Sequence, residues 1–579
     1  MASLEQIRHT LAHLLATAAK EFDPKVQLGI GPTTDDGFYY DFKFSKAPTP
    51  DDLKGLEQAM RKLVNKKLPM TGREIDHAEG ATLFAGEPFK LELLNEYAGE
   101  GKTLTAYTVG EFTDLCKGGH VENTGEIDAG SFTLTRASGA YWRGDEKNPQ
   151  LTRIYGMAFE SKEALAAHEK QLEEAKKRDH RKLGKELGLF VFSDLVGPGL
   201  PLWTPRGTVI RELLNDYVWE LRQAHGYEKV TIPHITKQAL YETSGHWAKY
   251  ADDLFKITTR EDKVYAMKPM NCPHHTQIFA AEPKSYRDMP QRYAETTMVY
   301  RDEQSGELSG LQRVLSITQD DAHVFCREIQ IEEEANNIWD IVQNFYGTFG
   351  FTLTPRFSRR DTKTPEKYLG GDEGWDKAEG ALKHLMEKRG ATWIDGLGEA
   401  AFYGPKIDFM AKDSIGRVWQ VATIQIDFNQ PASFGLVCTN EKGEKEQVVM
   451  IHAAIMGSIE RFMSVLIEHT AGAFPVWLSP IQVAIVPVSE KHSDKASEIT
   501  AALKAQGIRV KLDARDESLG KRIRAQKEMK VPYVIVLGDK ELETSTLTIE
   551  KRDGTKLEGI TSDTFLAQLA DEIAQRALN

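Results

Sequence analysis

The chain is short of cysteine, of long apolar runs and of positive charge. Its 579 residues include four cysteines, Cys116, Cys272, Cys326 and Cys438, too scattered for a secreted disulfide framework. No apolar run approaches the length that spans a bilayer, and the opening MASLEQIRHT holds no apolar signal segment. A protein of the cytoplasm with no membrane role is expected. The formal net charge of −13 disfavours nonspecific nucleic-acid binding by the whole surface, yet leaves room for a local basic track. The length excludes a single core, so three or four domains are expected.

What is there centres on residues 292–325, RYAETTMVYRDEQSGELSGLQRVLSITQDDAHVF. Two alternating segments flank a Gly/Ser-containing connection, the pattern of a long hairpin. The first carries Tyr293, Thr297, Val299 and Arg301, the second Val314, Ser316 and Thr318. A polar run, Gln319 to His323, follows directly after the second strand. Arg301 and Arg313 stand on either side of the connection. Two arginines fixed to strands can clamp a phosphate through rigid, bidentate donors.

Upstream, residues 4–20 read as an amphipathic helix with His9 and His13 four apart on one face. GEFTDLCKGGH adds Cys116 and His120 beside two glycines that let a backbone approach closely. Together the four fit a metal site or a site that positions water; the two histidines fit a core edge equally well. Residues 161–185 form a helical, Ala/Glu/Lys-rich connection, and KKRDHRKLGK within it reads as a solvated face or a strip under an RNA backbone. Boundaries are therefore expected at 1–160, 161–185, 186–480 and 481–579.

In the third segment, a helix over 207–224 and a strand with Val230 and Ile232 offer apolar faces for a subunit contact. KPMNCPHH places Cys272 beside His274 and His275. Neighbours in sequence cannot all point into one site, so further ligands must come from a distance, and His323 and His452 are available. A Cys/His/His set would leave zinc one open position. Alternating segments around Tyr403, Lys406, Gln420, Gln425 and Asp427 predict an antiparallel sheet. AAIMGSIERFMSVLIE predicts a helix over 453–468 carrying Gly457, Ser458 and Arg461; a glycine there costs roughly 1 kcal/mol unless something packs close. The last segment alternates strands and helices, which predicts a parallel or mixed sheet. Its helix with Lys521, Arg522, Arg524, Lys527 and Lys530 reads as an RNA contact.

The hairpin resembles the second signature motif of class II aminoacyl-tRNA synthetases, and HAAIMGSIERF resembles the third. KPMNCP, TQDDAHVFC, AFYGPKID and the C-terminal segment resemble threonyl-tRNA synthetases, over nearly the whole chain. The resemblance implies a multidomain α+β protein: an α+β editing domain, a class II antiparallel-sheet catalytic domain and a C-terminal α/β anticodon-binding domain. It implies that ATP, with Mg2+, and L-threonine form threonyl-adenylate, and that threonine then passes to tRNA(Thr) in a homodimer. Arg301 would hold the α-phosphate, with Arg313 and Arg461 around the ATP tail. Cys272, His323 and His452 match the zinc ligands, one ion per subunit. Gln319, Asp321, Tyr403, Gln420 and Ser458 would surround the substrates. His9, His13, Cys116, His120, Lys90 and Asp114 match the editing site, which hydrolyses seryl-tRNA without needing a metal. Most bacterial relatives begin with a small ubiquitin-like domain, whereas this chain starts at the editing helix. Four positions depart from the family's usual residues: His274 for glycine, Tyr300 for histidine, and Leu315 and Ala453 for arginines. A synthetase-like RNA-binding or regulatory protein is the alternative. The retained Cys/His/His set speaks against it, because disuse would not preserve such groups at their cost in burial.

Overall fold

The computed structural model describes residues 2–578, and the chain divides into two compact units, Met1–Glu174 and Ala175–Asn579.

The first unit opens on the helix Leu4–Phe22. Ser3 caps it reciprocally: its hydroxyl accepts the Gln6 N–H, and the Gln6 side chain accepts the Ser3 N–H. Leu11, Leu14 and Leu15 are fully buried against Phe38, Tyr40 and Phe42 of the strand Gly37–Lys43. That strand pairs with Gln150–Ala158, which pairs in turn with Phe132–Tyr141. A separate antiparallel sheet, Met70–Glu74, Thr105–Val109 and Phe112–Leu115, delivers the chain into the Cys116–His120 loop.

The second unit is built on an eight-stranded sheet. Its order is Glu228–Lys229, Gln291–Tyr300, Ser316–Cys326, Val449–Ser458, Val418–Asp427, Lys406–Lys412, Thr352–Arg359, Ile394–Leu397, antiparallel except at its two edges. The hairpin forms as the alternation predicts. Its second strand, however, runs on to Cys326 through the polar residues 319–323, which the sequence pattern places after it. That strand lies between two partners, so its backbone is satisfied on both sides and the polar side chains are held in the ladder.

The expected helix over 453–468 is half strand. Val449–Ser458 is extended, and the helix starts at Ile459. Gly457 sits at φ +73°, and the buried Asp320 carboxylate accepts the N–H groups of Ile455, Met456 and Gly457. The register slips across Gln319/Asp321, and Arg222, also buried, lies 3.5 Å from Asp320. Burial raises the Asp320 pKa to about 6 against the pull of Arg222.

The helix Pro205–Ala224 turns Ile210, Leu214, Tyr217 and Val218 into this unit's own core, so that face is not free for a second subunit. The exposed apolar residues of this unit include a run at Val191, Phe192, Leu195, Val196 and Leu202. At the C-terminal end, Val483–Pro487, Val510–Leu512 and Tyr533–Leu537 are parallel, and Leu547–Lys551 and Lys556–Ile560 complete a mixed sheet. The basic helix there is Leu519–Glu528, with Lys521, Arg524 and Lys527 exposed. Arg522 is buried and donates to the Asp513 carbonyl, while Arg524 pairs with Glu528 and Lys527 with Glu550. No helix is long and apolar enough to cross a membrane.

Candidate active site

One cleft of about 560 Å³ opens on the large sheet. It is lined by Arg301, Arg313, Gln319, Asp321, Tyr403, Gln420, His452, Ser458 and Arg461, so every residue expected around the activated substrate meets there. Its apolar wall is Val299, Ile317, Met456, Phe462 and Val465. Arg301 and Arg461 have no carboxylate partner among the described residues. The Arg301 guanidinium rests 3.1 Å from the Met270 sulfur and over the Tyr250 ring, with its Nε unpartnered. Two unpaired cations in one apolar-walled cleft make a seat for an anion. Arg313 differs: at the mouth of the cleft it is bound by Glu303 and Glu307. The sheet register explains the convergence. Gln319 and Asp321 alternate on one strand, and the Gly457 turn swings Ser458 and Arg461 off the next. A side chain at Gly457 would be strained at that φ and would come 3.2 Å from the Val421 carbonyl.

Beside the cleft, the ligating atoms of Cys272, His323 and His452 lie within 4.8 Å of one another, all buried. The other ring nitrogen of each histidine is spoken for. His452 Nε2 is 3.0 Å from Asp427 Oδ2, and His323 Nδ1 is 2.8 Å from His275 Nδ1. Asp427 is itself fixed by the N–H groups of Asn429 and Gln430 and by the Gln430 amide. That leaves His323 Nε2 and His452 Nδ1 facing each other at 3.1 Å with the thiol alongside. Burial holds the His323 pKa well below its ordinary value and the Cys272 pKa well above its own. Two imidazoles oriented from behind, plus one thiol that a cation would deprotonate, fit a borderline divalent ion such as zinc. Sequence spacing left His274 and His275 open as ligands. The structure places His275 behind His323 and buries His274 with both nitrogens unpartnered.

In the first unit all six expected residues also converge. His9 Nε2 and His120 Nε2 lie 3.3 and 3.1 Å from Cys116 Sγ, and the rings of His9 and His120 stack at 4.2 Å. His13 is buried at 4.0 Å from Asp114. Burial lowers the pKa of His13 to about 4 and of His120 to about 2, and raises that of Cys116 to about 11. At neutral pH the three imidazoles are uncharged, as a histidine that acts as a general base or a metal ligand must be. Lys90 and Asp114 are themselves buried and paired at 2.6 Å, so they stand behind His13 and do not face solvent. Burial pushes the Asp114 carboxyl up, and Lys90 with the Tyr40 hydroxyl more than offsets it. Tyr40, and Tyr107 against His120, escaped the sequence reading, and Asp427 was placed on a strand without a role in the site. Their only signal was a polar group inside an otherwise buried strand pattern.

An antiparallel sheet carrying an arginine-bearing hairpin, with a glycine turn into an arginine-bearing helix, defines the catalytic core of a class II tRNA synthetase. Residues 255–470 match the family described as tRNA synthetase class II core domain (G, H, P, S and T). Residues 482–572 match an anticodon binding domain, and 104–155 the threonyl and alanyl tRNA synthetase second additional domain. The chain is 46% identical to a threonine–tRNA ligase of Thermotoga petrophila over 99% of its length and 89% of that protein's. Against the same enzyme of Legionella pneumophila the identity is 45%, again over 99% and 89%. A solved threonyl-tRNA synthetase RNA-binding domain from Cryptosporidium parvum superposes with a TM-score of 0.65 at 36% identity, covering 68% of this chain and 98% of that one. The chain belongs to the threonyl-tRNA synthetase family.

Proposed function

We propose that the chain is an ATP-dependent threonine–tRNA ligase that makes threonyl-adenylate, passes threonine to tRNA(Thr), and hydrolyses seryl-tRNA(Thr) in its first unit. The observation that carries the reading is the juxtaposition of two unpaired arginines with a Cys/His/His set at one cleft. ATP enters as its Mg2+ complex. The threonine carboxylate attacks the α-phosphorus and pyrophosphate leaves, while Arg301 meets the charge that develops there. Arg461, and Arg313 once released from its glutamates, take the phosphate tail. Asp321, whose carboxyl burial raises and Asn271 holds at 3.0 Å, faces the substrate amine with Gln319 and Tyr403. Cys272, His323 and His452 would hold zinc, which when bound supplies a Lewis-acid position for the amine and hydroxyl of threonine.

Valine lacks the hydroxyl and is rejected roughly 10⁴-fold or more. Serine lacks only a methyl, worth roughly 10–200-fold, so a second sieve is required. His9, His13, Cys116 and His120 position the water and the ester for that step, with Lys90 and Asp114 fixing His13. The domain limits we propose are 1–160 for editing, 161–185 for the connection, 186–480 for catalysis and 481–579 for the anticodon. A homodimer covering the exposed apolar residues 191–202 completes the reading, and light scattering at micromolar concentration checks it: a single chain's mass overturns it. Threonine-dependent exchange of pyrophosphate into ATP is the deciding measurement. Its absence from folded protein supplied with zinc overturns the ligase reading.

A further inference from the structure

Away from the cleft, one buried histidine touches two of the elements that build it. His180 begins the short helix His180–Glu186, within the basic run of the connection, and is 2% exposed. Its Nδ1 lies 2.7 Å from Glu468 Oε1, and its own backbone N–H donates to the same oxygen at 3.0 Å. Glu468 lies in the last turn of the helix Ile459–His469, whose first turn carries Arg461, and its second oxygen is 2.6 Å from Arg417 Nη1. Burial pushes the Glu468 carboxyl up, and the hydrogen bonds from His180 with the charge of Arg417 more than offset it, so it stays ionised. An ionised acceptor on Nδ1 fixes the proton there and leaves the Nε2 lone pair free. That lone pair accepts the backbone N–H of Leu311 at 3.0 Å.

Leu311 belongs to the connection between Arg301 and Arg313. Its side chain is fully buried in the core of the sheet, and the next two residues, Gln312 and Arg313, line the cleft. The residue before it, Gly310, has φ +50°, and a Cβ there would fall 2.3 Å from His180 Nε2. The loop thus comes against the imidazole as closely as a backbone can, at a place where only glycine permits it. Four residues on, the Leu315 N–H donates to the Gly199 carbonyl, and Arg301 N–H donates to Leu315 O. The returning limb of the hairpin is tacked down at Leu311 and at Leu315, and His180 supplies the first tack. The Asp179, His180 and Glu468 cluster resembles a metal set, yet both imidazole nitrogens already have protein partners.

We propose that His180 is a positioning residue for adenylate formation: it registers the Arg301–Arg313 loop against the helix that carries Arg461, and so sets the spacing of the phosphate-binding arginines. It touches no substrate and acts through the Leu311 backbone. This inference rests on the ligase reading given above. A misplacement of about 1 Å in such a group costs on the order of 10²-fold. Loss of one buried hydrogen bond corresponds to roughly 10-fold.

The test is pyrophosphate exchange with ATP and threonine varied separately, on zinc-loaded full-length protein. His180→Phe keeps the volume and removes both nitrogens. Gly310→Ala leaves the His180–Glu468 pair whole and drives the loop off it. Both should lower kcat/KM for ATP by 10- to 100-fold with the KM for threonine within about twofold of wild type. His180→Gln restores an acceptor and should recover part of the loss. If His180→Phe does not fold, Gly310→Ala decides alone. A fall in thermal stability with unchanged ATP kinetics, or an equal rise in both KM values, overturns the proposal. Failure of the wild-type protein to exchange pyrophosphate would instead strike at the ligase reading and is seen in the same assay.

Discussion

Two clusters of histidine and cysteine, one in each unit, use almost the same residue inventory for different ends. In the first, the ligating atoms of His9, His13, Cys116 and His120 lie within 4.8 Å of one another, with His9 and Cys116 partly exposed. In the second, Cys272, His323 and His452 are wholly buried and held from behind by Asp427 and His275. The inventory does not decide the chemistry; what stands behind each ring does. A carboxylate on the far nitrogen of His452 orients a lone pair inward, whereas burial keeps His13 neutral, against the pull of Asp114, beside an open face. The open cluster can admit water and an ester, and the closed one can admit little besides an ion and the substrate groups that reach it.

The sharpest way to separate the two is Cys272→Ser. It should lose zinc, read by metal analysis, and lower threonine activation by roughly 10³-fold, the several kcal/mol a Lewis acid supplies. Deacylation of seryl-tRNA(Thr) should stay near wild type. Equal loss of both activities would show that the clusters are not independent.

Next in size is Arg301→Ala, expected to slow pyrophosphate exchange on the order of 10²- to 10³-fold, with lysine giving only partial rescue because it lacks the planar fork. Exchange near the wild-type rate would remove Arg301 from the phosphate site. The mirror variant of the first unit, His9 and His13 both to alanine, should leave activation intact and cut deacylation by roughly 10²-fold, so that labelled serine accumulates on tRNA(Thr). Clearance as fast as wild type would return these histidines to a packing role. Asp427→Asn should weaken zinc retention against a chelator by roughly 10- to 100-fold.

The smallest effect is in stability against pH. His13 has a folded pKa of about 4 against an ordinary 6.5, so the unfolded chain binds its proton first. The first unit should therefore lose stability as pH falls from about 6.5 towards 4, by up to about 3 kcal/mol from this group, and gain nothing from it above 7. Urea titrations of the full chain between pH 4 and 7.5 check the sign. His13→Leu should flatten that dependence.

The hairpin, the helix with His9 and His13, and the three-ligand set were legible because each is written in local period or in unusual residue types. The helix expected over 453–468 went wrong for a physical reason. AAIM is apolar in a row, and such a run reads alike in a strand and a helix. What chose the strand was Asp320, more than 130 residues upstream, gripping three backbone N–H groups. In the basic helix the acids that pair with Arg524 and Lys527, and the carbonyls that hold Arg522, are set by the fold and not by composition. Tyr40 and His180, and the role of Asp427 behind His452, stayed invisible because a partner distant in sequence gives each its meaning.

The order of strands in the large sheet also has a consequence during synthesis. Cys272 and His323 leave the ribosome well before the strand bearing His452, which must pair between Ser316–Cys326 and Val418–Asp427 to close the site. The gap is roughly 180 residues, which at bacterial elongation rates is about 10–40 s. Through that interval the thiol has neither its covering strand nor its third partner. The nascent enzyme is thus open to oxidation or to capture of the wrong ion at a stage the finished protein never revisits, and growth under oxidative stress would damage newly made chains before it touched old ones.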